Sequence, residues 1–306
     1  MASMWNLGGL TPLQLVKRVG QEVSNDDISG RAAQLAYYFL LALFPLLIFL
    51  ISLLGFMAGA GSDLRQALME NLSRVMPGSA SDLVQKTIDD VVRSSGGGKL
   101  LFGLLAALWA ASNGMGAITE TLNVAYGVGE TRPWWKRRAV AVGLTIGVSL
   151  LVILSLVLVL YGGKLAEFLS AHVGLGSTFV IAWKIAQWPA VLILMFIAFG
   201  LIYYFAPNLK KPEWHWITPG AAVGLVLWLL GSFAFRLYLH YFNSYSATYG
   251  SLGAVIILML WFYISGFAVL AGGEVNSEIG KATEESDKRE QQQRRVEQEL
   301  QQLKAA

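Results

Sequence analysis

Residues 241–273 read YFNSYSATYGSLGAVIILMLWFYISGFAVLAGG and hold no Asp, Glu, Lys, Arg or His. A helix needs about 20 predominantly apolar residues to cross ~30 Å of hydrocarbon, and the part from Ser251 onward meets that length. The front of the stretch is polar but uncharged, with Ser244, Tyr245, Ser246, Thr248 and Tyr249 ahead of Gly250. Arg236 and His240 stand just before it and Glu274 just after. A chain with such a segment folds around a membrane span.

Five further charge-poor windows have the same character. Together the spans are expected at about 32–59, 100–120, 139–163, 183–207, 215–240 and 250–274, inside a transmembrane domain 32–279. The composition agrees, with 55% apolar and only 14% charged residues in 306, where soluble domains carry about 25% charged. Mean hydropathy is +0.53. There is no cysteine, which removes disulfides and Cys-ligated metal sites. The fold class expected is an all-α membrane protein of six transmembrane helices.

An even number of spans places both termini on one side. Most of the Lys and Arg fall in 1–31, 120–138, 210–215 and 274–306. By the positive-inside rule that face is cytoplasmic. The net charge of +3 is small, and its placement orients spans rather than arguing for nucleic acid as a partner.

Three segments lie outside the spans. Residues 1–31 form a cytoplasmic amphipathic lead, with Leu10, Leu13, Val16, Val19 and Val23 at helical spacing. Thr11 is its expected N-cap and Pro12 its first helical residue. Residues 60–99 hold two apolar stripes, Leu64, Leu68, Leu72, Val75 and then Val84, Ile88, Val91, Val92, broken at Pro77-Gly78. They read as an amphipathic helical hairpin over the outer mouth, or as an interfacial hairpin shielding span ends. Residues 280–306 are a cytoplasmic charged helical tail, with Glu274 opening the soluble part of the chain. Its Val296, Leu300 and Leu303 make one heptad, too short for a coiled coil alone.

Catalytic chemistry finds little here. His172, His215 and His240 fall on different loops and in no H-E-x-x-H spacing. No G-x-S-x-G, Walker A or G-x-G-x-x-G occurs in its required context. No catalytic residue, metal ligand or cofactor is assigned, and the chain is read as a non-enzyme. Polar groups at membrane depth are the better lead, since each costs free energy unless satisfied. The candidates for a cavity or substrate-binding site are Gln34, Tyr37, Tyr38, Asn113, Glu120, Arg236, Tyr245 and Tyr249. For the amides the alternative is an interhelical hydrogen bond, and for the tyrosines an interfacial aromatic belt. Arg236 either snorkels to headgroups or faces a cavity with Tyr238, Tyr245 and Tyr249 as an anion-docking group. Tyr37-Tyr38-Phe39 with Pro45 also echoes Tyr203-Tyr204-Phe205 with Pro207, a trace of two inverted halves.

Three stretches then carry a resemblance: AAQLAYYFLLALFPLLIFLISLLG (32–55), ALWAASNGMGAITETLNVAYGV (107–128) and SYSATYGSLGAVIILMLWFYISGFAVLAGGEVNSEI (244–279). In this order they resemble the bacterial YihY/BrkB family, whose former label of ribonuclease BN is a misassignment. The resemblance covers roughly 30–280. It implies a six-span bacterial inner-membrane protein with a role in envelope integrity or in moving lipids and envelope-related solutes.

The first expectation is a transporter or flippase-like protein for lipid or anionic solutes, with a polar cavity among spans one, two, five and six. The second is a non-transporting membrane scaffold acting through partner proteins. Membrane lipids are the expected partners. No nucleic acid is expected, and oligomerisation is left open.

Overall fold

A computed structural model of the chain describes residues 4–58, 97–173, 176–209, 217–241 and 251–305, and the backbone alone at 4, 47–58, 97–100, 173, 251, 299–300 and 304–305. The outer hairpin, most of it in 59–96, falls outside these residues. So do Tyr245, Tyr249 and His215.

Every regular element among the described residues is helical. A 3-10 segment, Met4–Gly9, precedes α1 (Pro12–Asn25) and α2 (Ile28–Ala58). Then come α3 (Gly97–Ala125), α4 (Trp134–Val173), α5 (Gly176–Phe205), α6 (Pro219–Tyr241) and α7 (Ser251–Ala305). Five stretches are long and apolar enough to cross a membrane: Leu101–Ala125, Trp134–His172, Gly176–Phe205, Pro219–Tyr241 and Leu252–Leu303. They fall on α3 to α7 and overlap expected spans two to six, those on α4 and α7 running well past the expected bounds. The first expected span lies on α2, a continuous helix of 31 residues that runs on through Pro45.

The chain divides into two units. One is Met1–Ala36 with Met115–Ala306, and the other is Tyr37–Gly114. In the smaller unit, α2 and α3 approach at Gly114, where a Cβ would stand 2.9 Å from the Phe39 ring.

In the larger unit α4 packs on α5, α5 on α6 and α6 on α7, while the 3-10 segment and α1 pack on α7. Its surface is apolar. Leu150, Ile153, Leu156 and Leu160 of α4 are all exposed, as are Leu229, Leu230 and Phe233 of α6. Its interior mixes large apolar side chains such as Leu122, Leu270 and Ile279 with many small and polar ones: Ala141, Ala198, Ala221, Ala268 and Ala271 beside Thr119, Thr121, Asn123, Thr218, Asn276 and Ser277. Lipid is as apolar as Leu, so large apolar side chains gain nothing by leaving it. Close backbone approach and hydrogen bonds hold such helices together.

The α6–α7 seam shows this directly. A Cβ on Gly272 would stand 2.5 Å from the Gly220 carbonyl oxygen and also meet the Tyr203 hydroxyl. A Cβ on Gly224 would meet the Ala268 carbonyl oxygen at 3.0 Å. Only glycine admits two backbones at this distance. Further along, Trp228 Nε1 donates to Ser265 Oγ at 3.1 Å.

The N-terminal lead packs on α7 through one face. Thr11 caps α1 as expected, with Gln14 completing a capping box. Leu15 is buried against Val275 and Ile279, with Leu7, Leu10 and Val19 around them. Leu10 and Val19 of the expected stripe therefore face α7, while Leu13 and Val16 are exposed. Gly8, at φ 61°, lies so close to α7 that a Cβ would meet Ala282 Cβ and the Ile279 oxygen at 2.8 Å.

Candidate functional site

The helix that opens at Ser251 does not stop at the end of its apolar run. It continues unbroken for 55 residues, and the turns just past Gly273 are buried. Glu274, Asn276, Ser277 and Glu278 are at most 4% exposed. A solvated helix was expected from Glu274 onward, but α1, the end of α3 and the head of α6 cover this part of α7.

Each buried polar group in this seam has a structural cause. Thr218 precedes α6, and its Oγ1 accepts from Ala221 N at 3.0 Å, an N-cap with Pro219 at the first helical position. The next amide, Gly220 N, has no partner within its own helix. Asn276 supplies one from α7, its Oδ1 accepting from Gly220 N at 2.8 Å while its Nδ2 donates to Thr218 Oγ1 at 3.0 Å. Ser277 Oγ donates to the Ala125 oxygen at the end of α3, 2.6 Å away. Tyr203 of α5 donates to the Val269 oxygen at 2.7 Å. Thus α3, α5 and α6 are each pinned to the same stretch of α7 by a side-chain hydrogen bond.

A second network lies at the ends of α3 and α5. Arg132 binds Glu130 through two nitrogens, at 2.7 and 2.8 Å. It also donates to the Ala206 oxygen at 2.9 Å, closing the C-terminal end of α5. Asn123 Nδ2 donates to Glu130 at 3.0 Å, and its Oδ1 accepts from Asn208 N at 2.7 Å. The hydrogen bond from Arg132, aided by its charge and by Asn123, holds the Glu130 carboxyl down at about 2. Glu130 is therefore a fixed anion that organises the turn after α3.

Glu274 differs from all of these. It is 0% exposed, and neither carboxylate oxygen receives a hydrogen bond. The group facing it is another carboxyl, Asp26.

The sequence-predicted residues fall in both units. Gln34 is exposed on α2, and Tyr37 is 52% exposed. Tyr38 and Asn113 are half-buried and belong to the smaller unit. Glu120 is paired with Arg137 at the start of α4. Arg236 is exposed, sixteen residues along α6 from Gly220, about 24 Å at 1.5 Å per residue. The Tyr-Tyr-Phe repeats do not share an environment: Tyr203 is 4% exposed and hydrogen-bonded, whereas Tyr37 is open.

What sequence reasoning passed over is Asp26, Glu274 and Asn276. The signal was present as GGEVNSE, a polar run straight after paired glycines with no helix breaker.

The sequence profile of the family described as Virulence factor BrkB matches residues 19–297. The chain belongs to that family. The putative ribonuclease-like protein YfkH of Bacillus subtilis (strain 168) is 36% identical to this chain over 269 residues, covering 88% of it and 96% of the relative. A UPF0761 membrane protein of Vibrio campbellii is 31% identical over 278 residues, covering 87% and 82%. The UPF0761 membrane protein VP0125 of Vibrio parahaemolyticus is 31% identical over 273 residues, covering 85% and 80%. No solved structure matches the chain. The chain is thus a membrane protein of the BrkB family.

Proposed function

We propose that this BrkB-family protein is a transporter or flippase-like protein of the bacterial inner membrane, moving lipid or anionic envelope-related solutes. The observation that carries the reading is that the larger unit, with exposed apolar faces on α4 and α6, buries hydroxyl, amide and carboxyl side chains among its apolar ones. Buried polar and ionisable groups at a membrane-spanning element are costly and mark substrate or ion pathways. Helices joined by a fixed hydrogen-bonded clasp at one end, with an exposed cation at the other, suit a protein that passes solute along its length.

Arg236 is the residue proposed to meet the anion. Its guanidinium offers five donors in a planar fork suited to phosphate or carboxylate, and no ion-pair partner for it exists among the described residues. Purified protein in vesicles is expected to speed movement of anionic lipid or anionic solute between leaflets or compartments. Arg236→Gln should lower that rate at least about tenfold, and Arg236→Lys should recover only part of it, since lysine keeps the charge and loses the fork. Equal rates for all three proteins would remove Arg236 from the mechanism. No flux of any tested lipid or anion would leave the scaffold reading, which the exposed end of α7 favours.

The reading includes six spans with both termini in the cytoplasm, motivated by the distribution of Lys and Arg. The chain has no native cysteine, so single substitutions report topology cleanly. Ser286→Cys should react with an impermeant thiol reagent only after lysis, and Ser94→Cys in intact cells. Labelling of Ser286→Cys from outside would reverse the orientation.

A further inference from the structure

One face of α1 carries Leu15, Val19, Glu22 and Asp26, at spacings of four, three and four. Its apolar half lies on Val275 and Ile279. Its acidic half brings Glu22 and Asp26 against Glu274. The charged and titratable groups facing Glu274 are Glu22 and Asp26 from α1 and its end, Tyr126 from the end of α3, and Lys281 from α7 itself. Lys281 is held by Glu278 at 2.9 Å. Arg31 of α2 is turned to the Asp26 main-chain oxygen, 2.8 Å from its Nε.

Three carboxyl groups, Glu22, Glu274 and Glu278, thus lie around one ammonium, and a fourth, Asp26, faces Glu274. Glu274 is the most enclosed of them, and no donor reaches either oxygen. Two facing carboxyls with no donor between them cannot both stay ionised in a site closed to water. A proton on one turns repulsion into a hydrogen bond. Burial disfavours charge, so the proton belongs on the enclosed member, with the half-buried Asp26 as the carboxyl that faces it.

We propose that Glu274 is a proton-binding site, and that its proton, donated to Asp26, fastens the N-terminal helix to α7. The site stands apart from transport, since its readouts are ionisation and stability; a failed flux experiment leaves it intact. Transport without this proton would leave the transport reading intact in turn.

The sign of the linkage follows. The folded protein holds a proton that the unfolded chain releases at ordinary carboxylate pH. The stabilisation is therefore complete below that range and is lost as pH rises above it. Full-length protein in detergent should show a thermal midpoint falling by several degrees from about pH 5 to about pH 9, a range that starts above the ordinary Glu value. Glu274→Gln, which keeps a donor toward Asp26 and cannot titrate, should flatten that profile and be the more stable protein at the alkaline end. A Glu274→Gln profile parallel to wild type overturns the proposal.

Two measurements on the wild type hold even where that variant does not fold. Infrared spectra at neutral pH should contain the carbonyl stretch of a protonated carboxyl, displaced by Asp26→Asn; its absence overturns the proposal. Replacing choline chloride by sodium chloride at fixed pH and ionic strength should leave the midpoint unchanged. Stabilisation specific to sodium would make this a cation site instead, and the proton assignment would fall.

Discussion

Gly272→Ala is expected to yield little or no folded protein. One methyl group is added, but it enters the place where the Gly220 carbonyl oxygen already stands, 2.5 Å from the new Cβ, and it meets the Tyr203 hydroxyl as well. Backbone cannot turn aside as a flexible side chain does, so α6 and α7 must separate. Separation then stretches the Tyr203–Val269 bond of 2.7 Å and the Gly220–Asn276 bond of 2.8 Å. Overpacking alone costs about 1–3 kcal/mol; with both hydrogen bonds strained, a loss of at least about 3 kcal/mol is expected. Gly143 and Gly280 supply the controls, being helical glycines with open space where a Cβ would go. Alanine at either should be neutral or stabilising by up to about 1 kcal/mol through helix propensity. Yield of monodisperse solubilised protein and its thermal midpoint give the comparison. If Gly272→Ala behaves as Gly280→Ala does, the close α6–α7 packing is wrong.

Asn276→Leu is the second large effect. An average interhelical hydrogen bond in a membrane protein contributes only about 0.6 kcal/mol, which would make this substitution minor. The deciding factor is what remains behind. Leucine leaves the buried Gly220 N–H without an acceptor and Thr218 without its donor from α7, and an orphaned buried donor costs about 1–3 kcal/mol. A loss of about 2–4 kcal/mol is therefore expected. Asn276→Asp should recover part of the acceptor role, yet it adds a charge close to Glu274. Thr218→Val alone should cost less than Asn276→Leu, and the double variant less than the sum, because both act on one bond. Strict additivity across that cycle would show that the two side chains do not interact.

How much of this was legible in the sequence depends on how local each feature is. The start of α1 was readable because a capping box needs only Thr11, Pro12 and Gln14, all within one turn. Five apolar helices were readable because crossing hydrocarbon sets a minimum length that composition alone reports. The buried face of α1 was only half visible. Leu10 and Val19 were seen, but the face continues as Leu15, Glu22 and Asp26, and a search for apolar periodicity ends where the acids begin. Glu274 was read as the end of the membrane-embedded part, which is how a charge after an apolar run usually behaves. Whether such a charge meets water or protein depends on what folds over it, and here α1 arrives from some 250 residues earlier in the chain. Asn276 was hidden for the same reason, since its partners Gly220 and Thr218 sit on another helix.

The unbroken course of α7 has a mechanical consequence. At 1.5 Å per residue its 55 residues form a beam about 80 Å long, of which roughly 35 Å lies beyond the part clasped by α1. The end of that clasped part, where Gly8 lies against Ala282, is its fulcrum, with a hydrogen-bonded footing on one side and a long arm on the other. A tilt of about 10° there swings the far tip by some 6 Å, by the length–angle relation of a straight helix. Conversely, a load applied near Leu303 reaches the fulcrum as torque rather than as a local contact, because no loop intervenes to absorb it.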